Sequence, residues 1–327
     1  MRTISYTEAL REALQEEMII NPDVFLLGED IGIYGGAFGV TRGLLDKFGA
    51  ERVRDTPISE QGFVGASIGA ALAGSRPVVE IMFMDFITLA VDQMVNQAAK
   101  LHYVLGKQAR CPMVLRTVGG GGRCYGPTHS QSLEAWFTHV PGLKVVAPST
   151  PADAKGLLKA AIRDDNPVVF MEHKLLYGCR GEVSEAPDTV IPLGKARIAR
   201  AGTDITLIAW SWMSAEAGRA AEEDLNTQGI SAEVIDLRSL IPLDMDTIIA
   251  SVKKTHRALI VQESCRTGGF GAEISARISE TVYDYLDAPL LRLATPDIPL
   301  SASPALERAA IPDRSRIFEA ARKLVEE

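Results

Sequence analysis

The sequence predicts an α/β protein made of two doubly wound domains. Short runs of aliphatic and β-branched residues alternate with helical patterns along most of the chain, which is typical of parallel sheets covered by helices. The alternation is lost between about residues 178 and 203, where Pro187, Pro192 and several glycines occur. Because 327 residues suit two domains of ordinary size, we expect a first domain over residues 1–186 and a second over residues 187–327.

The first half of the chain opens with an amphipathic helix over about residues 6–19. Ser5 and Glu8 have the spacing of a capping box at the start of this helix. The predicted strands of this half cover residues 24–27, 51–55, 77–82, 113–116, 143–146 and 168–171. Further helices are predicted after Glu60, over about residues 86–104 and over residues 152–163. Strands and helices in this order indicate a mostly parallel sheet.

The second half repeats the same kind of alternation. Its predicted strands cover residues 205–209, 232–236 and 258–261, and its predicted helices lie near residues 213–225, 244–253, 271–284 and 315–326. We therefore expect a second α/β unit after the irregular segment.

Composition excludes several classes of function. A formal net charge of −8 argues against a nucleic-acid groove, which needs clustered Lys and Arg. No apolar stretch approaches the length that spans a bilayer. The four cysteines are far apart and lack metal-ligand spacing, so reduced thiols are expected rather than a zinc site or disulfides. The first residues resemble neither a secretory signal nor a transit peptide, which favours a cytoplasmic location.

Glu60 is the most informative single residue. It lies where the predicted strand 51–55, ended by Pro57, turns into a helix rich in Gly and Ala. Ligands of open α/β sheets bind at the carboxyl ends of strands, so a carboxylate at this junction indicates a ligand site. The alternative is an acidic residue that stabilises the first turn of a helix through the macrodipole, and position alone favours that alternative.

Three glycine motifs allow a functional and a structural interpretation. Gly65-Ala66-Ser67-Ile68-Gly69 matches the hydrolase elbow, but the residues before it already have a helical pattern, so Ser67 is interpreted as a packing residue. Residues 268–271 resemble a dinucleotide turn without its spacing and favour an ordinary strand-to-helix turn. Residues 119–122 with Arg123 lack the Lys-Ser or Lys-Thr of a phosphate loop and favour a mobile loop.

His129 lies in a polar loop after this glycine run. Loop histidines are usually inert, yet an imidazole beside a cleft suits proton transfer near neutral pH.

Several long strings carry a resemblance to one known family. They are TPISEQGFVGASIGAALAG, VDQMVNQAAK, HSQSLEAWFTHVPGLKVVAPSTPADAKGLLKAAIRDDNPVVF and IDLRSLIPLD. The chain resembles, over essentially its whole length, the β subunit of the thiamine-diphosphate-dependent component of 2-oxo acid dehydrogenase complexes. Members act on pyruvate, branched-chain 2-oxo acids or acetoin, and residues 172–178 look closest to the acetoin or pyruvate type.

The resemblance implies a thiamine pyrimidine-binding domain followed by a transketolase C-terminal-like domain. Glu60 matches the family's glutamate that bonds to N1′ of the aminopyrimidine and so helps the coenzyme to lose its C2 proton. Ile58, Met82 and Phe86 match positions that flank the ring, although core packing explains such residues equally well. His129 matches an active-site histidine that donates a proton or orients substrate while lipoamide is acylated.

The resemblance also implies a potassium site in some members. The matching positions in this chain are Met113, Ala161, Ile162, Asp164 and Asn166. Oxygen ligands suit this hard cation, but residues 164–166 are also an ordinary helix-ending turn.

The chain lacks the Gly-Asp-Gly and later Asn-Asn segment that holds Mg²⁺ and the diphosphate in thiamine enzymes. The resemblance therefore implies that an α subunit holds Mg²⁺, that the enzyme is active only as an α₂β₂ heterotetramer, and that it docks on a lipoyl acyltransferase core. Pro127 and Thr128 depart from the usual Ala-Gln before the histidine and are similar to transketolase. The C-terminal half of a split transketolase is therefore the alternative. A non-catalytic partner is a third hypothesis, which an intact Glu60 opposes.

Overall fold

The computed structural model describes residues 1–186 and 188–326. The chain divides into two compact units. Unit 1 comprises Met1–Gly119 and Trp136–Leu193, and unit 2 comprises Gly120–Ala135 and Gly194–Glu327. Nothing in the sequence indicated that Gly120–Ala135 groups with unit 2. The domain division between residues 186 and 187 stays a prediction.

Unit 1 contains a parallel sheet with helices between its strands. The strands are β1 (Arg2–Ser5), β2 (Val24–Gly28), β3 (Val53–Asp55), β4 (Arg76–Ile81), β5 (Val114–Gly119), β6 (Lys144–Val146), β7 (Val168–His173) and β8 (Arg180–Val183). The helices are α1 (Tyr6–Ile20), α2 (Leu44–Phe48), α3 (Glu60–Leu72), α4 (Leu101–Val104), α5 (Glu134–Thr138) and α6 (Pro151–Arg163). The first residues of α5 belong to the segment that groups with unit 2.

Six of these strands lie side by side in the order β6-β7-β5-β4-β2-β3, and every neighbouring pair is parallel. Strands β1 and β8 form a separate antiparallel pair. The chain passes from β2 to β3 on one side and then to β4 on the other side of β2. The strand order therefore reverses between β2 and β4, which is the place where ligands bind in open α/β sheets.

Helices α1 and α6 pack against each other through buried charges. The predicted capping box of α1 is confirmed, because Ser5 and Glu8 bond to each other's backbone N–H. Lys155 and Lys159, almost fully buried, donate to the carboxylate of Glu16 over 2.7 and 2.8 Å. Since a buried ammonium needs a partner, this pairing fixes how the two helices lie on each other.

The predicted long helix over residues 86–104 is wrong in detail. The structure has a 3₁₀ segment at Met84–Ala90, a π segment at Gln93–Ala98 and only then the short α4. The three helix types share one handedness and similar apolar spacing, so the sequence pattern does not separate them. A close backbone approach follows this segment, since a Cβ on Gly142 (φ +104°) would overlap the carbonyl oxygen of Ala99.

Unit 2 contains a five-stranded sheet in the order β14-β13-β10-β11-β9, in which only β9 is antiparallel to its neighbour. The strands of this sheet are β9 (Arg197–Arg200), β10 (Ile205–Ala209), β11 (Ala232–Asp236), β13 (Ala258–Cys265) and β14 (Leu291–Thr295). The short strand β12 (Ser239–Ile241) lies outside it. The helices are α7 (Ser211–Arg219), α8 (Met245–Thr255), α9 (Phe270–Val282), α10 (Pro304–Ala310) and α11 (Arg314–Glu326). The predicted doubly wound α/β class is confirmed.

The core of unit 2 lies between its sheet and the helices α7 and α11. Met213 and Ala217 of α7 and Ile317 of α11 are buried against strand residues such as Leu207 and Val261. The predicted strands 205–209 and 232–236 are confirmed, and strand 258–261 extends to Cys265. None of the helices in the part of the chain that the structure describes is both long and apolar enough to cross a bilayer.

Candidate functional site

The candidate site of unit 1 lies at the carboxyl edge of its sheet, where the strand order reverses. Glu29 and Asp30 come directly after β2, and Met82 comes directly after β4. Glu60 is the first residue of α3, which follows the neighbouring strand β3. Because the carboxyl ends of parallel strands meet at one edge, the topology gathers acidic and apolar side chains there.

Glu60 is largely buried, with 6% of its surface exposed. It stands in the first turn of α3, and Ser59 before it makes no side-chain cap. The partial positive charge of a helix N-terminus stabilises a carboxylate at such a position. The position alone thus explains a charged residue here, and the neighbouring groups decide whether the residue does more.

Glu29 is the neighbour that sequence reasoning missed. Burial raises the pKa of its carboxyl, and the negative charges of Glu60 and Asp30 raise it further, against a hydrogen bond donated by the backbone N–H of Ser59. Oε1 of Glu29 is buried and has no hydrogen-bond partner within residues 1–186 and 188–326, and the same holds for Oγ1 of Thr56. The sequence did hold a signal for this residue: one acid, Glu29, directly follows a strand, and another, Glu60, starts a helix.

This orphaned oxygen indicates that the site is completed by another molecule. Buried polar atoms of folded proteins almost always have partners, so each exception needs an explanation. A nitrogen-rich ring that donates and accepts hydrogen bonds fits two neighbouring acidic side chains, one of which has a raised pKa. Glu29 and Glu60 together therefore fit an aminopyrimidine.

The apolar residues predicted beside the ring occupy the same edge of unit 1. Ile58 is 84% exposed, whereas Met82 and Phe86 are partly buried. Phe86 makes an edge contact with Phe83, whose ring also meets Phe38. The exposure of Ile58 is unusual for core packing, and it leaves an apolar surface beside Glu60.

A buried ion network supports the sheet below this edge. Arg116 on β5 donates to both oxygens of Glu172 on β7, over 2.7 and 2.9 Å, and to Glu80 on β4 over 2.7 Å. The hydroxyl of Tyr177 donates to Glu172 over 2.7 Å. Burial lowers the pKa of Arg116, but the attraction of Glu172 and Glu80 outweighs it and raises that pKa. Three neighbouring strands are thereby tied together beneath the site.

The hydrolase interpretation of the glycine-serine motif is excluded by its place in the fold. Residues 65–69 lie wholly inside α3, so no strand runs into Gly65. Ser67 is fully buried, and its hydroxyl donates to the carbonyl of Phe63 over 2.8 Å. Ser67 is a packing residue, as its surroundings in the sequence predicted.

His129 lies in unit 2, in the segment that also holds the glycine run. The side-chain oxygen of Thr128 lies 3.1 Å from Nδ1 of His129, and the backbone N–H of His129 donates to Gly126. The segment begins with a buried run in which the N–H of Gly121 donates to Glu263. The first part of the glycine run is therefore packed, whereas Gly122 and Arg123 are exposed, and the mobility of the loop stays a prediction.

Two of the predicted potassium positions of unit 1 come together through their backbone. The carbonyl oxygens of Ile162 and Asp164 both accept from Arg76, each over 3.0 Å. The carbonyls of Met113 and Ala161 accept from backbone N–H groups.

Neighbouring side chains offset the effect of burial on the carboxyl of Asp164. Burial raises the pKa of its carboxyl, but hydrogen bonds from Lys144 and Asn166 outweigh that effect and lower it. A carbonyl oxygen carries two lone pairs, so the oxygens near Asp164 keep the capacity to bind a hard cation.

All four cysteines are free thiols, and burial raises the pKa of Cys111 to about 12.

Two families match successive parts of the chain. The family described as "Transketolase, pyrimidine binding domain" matches residues 2–180, and "Transketolase, C-terminal domain" matches residues 194–317. Among solved structures, one titled "Split gene transketolase, inactive beta4 tetramer" superposes with a TM-score of 0.82 at 23% identity, over 99% of each chain. At that identity the likeness shows the fold.

Several curated relatives are similar over nearly the whole chain. "Pyruvate dehydrogenase E1 component subunit beta" of Rhizobium meliloti is 48% identical over 98% of this chain and 69% of its own length. The subunit of the same name from Rickettsia felis is 47% identical over 98% of both chains. The rice "subunit beta-2, mitochondrial" is 48% identical over 98% of this chain and 86% of its own. The chain therefore belongs to the family of β subunits of the thiamine-diphosphate-dependent component of 2-oxo acid dehydrogenase complexes.

Proposed function

We propose that this chain is the β subunit of a pyruvate dehydrogenase that passes the acetyl group to lipoamide. The names of the relatives at 47–48% identity support pyruvate over branched-chain substrates and acetoin. The assembly proposed is an α₂β₂ heterotetramer bound to a lipoyl acyltransferase core, with the cytoplasm as its compartment. The observation that carries the proposal is the pair of buried carboxylates, Glu60 and Glu29, at the reversal point of the unit 1 sheet.

Thiamine diphosphate, when bound, supplies a nucleophilic carbon that attacks the 2-oxo group of the substrate. Glu60 would hold the aminopyrimidine by a hydrogen bond at N1′ and so support the loss of the coenzyme's C2 proton. Glu29, whose pKa is raised by burial and by the charge of Glu60, holds a proton more readily than an ordinary carboxyl and lowers the repulsion in the pair. Ile58, Met82 and Phe86 would form the apolar surface against the ring.

His129 donates a proton or orients the substrate during acyl transfer. Its Nδ1 lies within hydrogen-bond distance of the Thr128 hydroxyl, which fixes the orientation of the imidazole. Thr128 stands where the family usually has glutamine, so a hydroxyl, which can donate to or accept from Nδ1, is the neighbour of the imidazole in this protein.

The α subunit completes the site. We propose that it holds Mg²⁺ and the diphosphate, since the chain lacks the family's metal-binding segment.

A K⁺ ion is proposed at the carbonyl oxygens of Met113, Ala161, Ile162, Asp164 and Asn166. It would stabilise the turn after α6, and replacing K⁺ by tetramethylammonium would then lower the melting temperature of the assembled enzyme.

Co-expression with an α subunit tests the proposal. The purified complex is assayed with pyruvate, a branched-chain 2-oxo acid, acetoin and a ketose phosphate, using an artificial electron acceptor for the first three and aldose transfer for the last. Preference for pyruvate supports the proposal. Turnover of the sugar phosphate alone would instead establish the split-transketolase alternative.

His129→Ala is expected to impair acylation of lipoamide more than coenzyme binding, and an equal loss of both would contradict its role.

A further inference from the structure

The segment that carries His129 is a closed loop within unit 2. At its base, the backbone N–H of Gly120 donates to the carbonyl of Gln131 over 3.1 Å. Its first half turns sharply, with left-handed backbone at Gly120 (φ +84°), Gly122 (φ +85°) and Cys124 (φ +57°). A backbone of this shape exposes N–H groups that no regular strand or helix satisfies.

Two buried carboxylates of unit 2 accept these N–H groups. Oε1 of Glu263, near the end of β13, accepts from the N–H of Gly121 over 2.5 Å. Oε2 of Glu307, on α10, accepts from the N–H of Cys124 over 3.0 Å and from its thiol over 3.2 Å. The two glutamates are 8% and 2% exposed. Hydrogen bonds to a charged acceptor in such a setting are about twice as strong as neutral ones.

The packing around Gly121 shows how closely the loop is held. A Cβ at this position would lie 2.5 Å from Cδ1 of Ile311, 3.0 Å from Cδ1 of Leu300 and 3.2 Å from Oε1 of Glu307. Glycine is therefore needed for the backbone to reach the carboxylates. Only four residues separate Cys124 from His129, so fixing the first half of the closed loop restricts the second.

The far end of the segment is fixed in a similar way. Glu134, almost fully buried, accepts from Nε1 of Trp210 over 3.2 Å. Acidic side chains thus fix the segment that carries His129 at both of its ends.

We propose that Glu263 and Glu307 are positioning residues for His129: they bind the backbone of its loop and hold the imidazole where acyl transfer requires it. The proposal rests on the proposed function of His129. A misplacement of about 1 Å in a catalytic group costs up to about a hundredfold in rate, so loosening the loop slows the step that uses His129. The step that depends on Glu60, in unit 1, is left unchanged.

The test uses the assembled α–β enzyme with Glu307→Ala, Glu307→Gln and the exposed control Glu280→Ala. For Glu307→Ala we expect a loss of about tenfold to about a hundredfold in lipoamide acylation, with C2-proton exchange of the bound coenzyme and its affinity unchanged. Glu307→Gln keeps one acceptor oxygen and recovers part of the rate, while the control variant behaves as wild type.

A double-mutant cycle separates positioning from general stability. If Glu307 acts through His129, adding Glu307→Ala to His129→Ala causes no further loss of acylation. Additive losses, or an equal fall in C2-proton exchange, would overturn the proposal. Glu263→Ala is treated in the same way.

Amide hydrogen exchange of the loop distinguishes this proposal from the proposed function. We expect the amides of Gly121 and Cys124 to exchange faster in Glu263→Ala and Glu307→Ala, respectively, whether or not His129 is catalytic. If His129→Ala leaves acylation intact, the function proposed for that residue fails while faster exchange still shows the anchoring. Unchanged exchange refutes the anchoring itself.

Discussion

Replacing Glu60 by glutamine tests the chemistry of the unit 1 site most directly. The substitution keeps the size and a carbonyl oxygen of the side chain but removes its charge and its capacity to share a proton. Because only 6% of the residue is exposed, water screens the charge weakly and has little access to replace the hydrogen bond proposed between Glu60 and the coenzyme. The loss therefore falls on the step in which the ring must adopt its imino form.

The expected loss of rate follows from the strength of a hydrogen bond to a buried charged group. A hydrogen bond to a charged group contributes about 1.5–3 kcal/mol, and about 1.4 kcal/mol corresponds to a factor of ten in rate. We expect Glu60→Gln to slow C2-proton exchange of bound thiamine diphosphate between about tenfold and about 150-fold. Loss of the negative charge at residue 60 also lowers the pKa of Glu29, since that charge raises it in the wild type.

The assay follows exchange of the C2 proton by quenched-flow NMR on the assembled enzyme. Glu51→Gln is the matched control, because that carboxylate is also in unit 1 but its side chain is 95% exposed. Circular dichroism and coenzyme titration confirm that both variants are folded and loaded. Exchange in Glu60→Gln as fast as in Glu51→Gln would show that residue 60 only caps its helix.

Three further perturbations test stability. Glu29→Gln is expected to raise the melting temperature at neutral pH. A carboxyl whose pKa is raised by folding destabilises the folded protein as the pH rises from about 4.5 through the folded pKa, and glutamine removes that loss. The gain vanishes below this pH window, so a gain that persists at pH 3 would contradict the pKa explanation. Gly142→Ala is expected to cost at least about 3 kcal/mol of unfolding free energy, measured by urea titration, because its Cβ would overlap the carbonyl of Ala99. The control Gly74→Ala has nearly the same φ but lies in open space, and it is expected to cost about 1 kcal/mol. Equal costs would refute the packing explanation. Lys159→Met removes a fully buried ammonium from its ion pair with α1 and lowers the unfolding free energy by about 2 kcal/mol, measured likewise, and a neutral result would show that apolar packing replaces the pair.

Much of the fold followed from local patterns. The strands at residues 24–27 and 205–209 and the capping box of Ser5 and Glu8 are short-range features, so neighbouring residues suffice to specify them. The 3₁₀ and π segments between residues 84 and 98 were missed because their hydrogen-bond pattern leaves almost no trace in apolar spacing. The strand at Leu291–Thr295 was missed as well, since only its pairing with β13 marks it as part of a sheet.

Some residues of the candidate site could be recognised in the sequence and others could not. Glu60 stood out because a strand end and a helix start are visible in sequence, and the long family strings led to His129, Met82 and Phe86. Glu29 did not stand out, because an acid after a strand is common and its raised pKa comes from burial and from a carboxylate about thirty residues away in sequence.

The amino-acid sequence by itself determined the family, the alternation of strands and helices and the identity of the acid that starts α3. Tertiary structure alone decided that the strand order reverses beside Glu29, that Ser67 is sealed inside a helix, and that residues 120–135 belong with unit 2. The physical reason is that burial, charge coupling and backbone anchoring arise between residues far apart in the chain. Glu307 and Cys124 are 183 positions apart, and only folding brings the carboxylate to the amide that it binds.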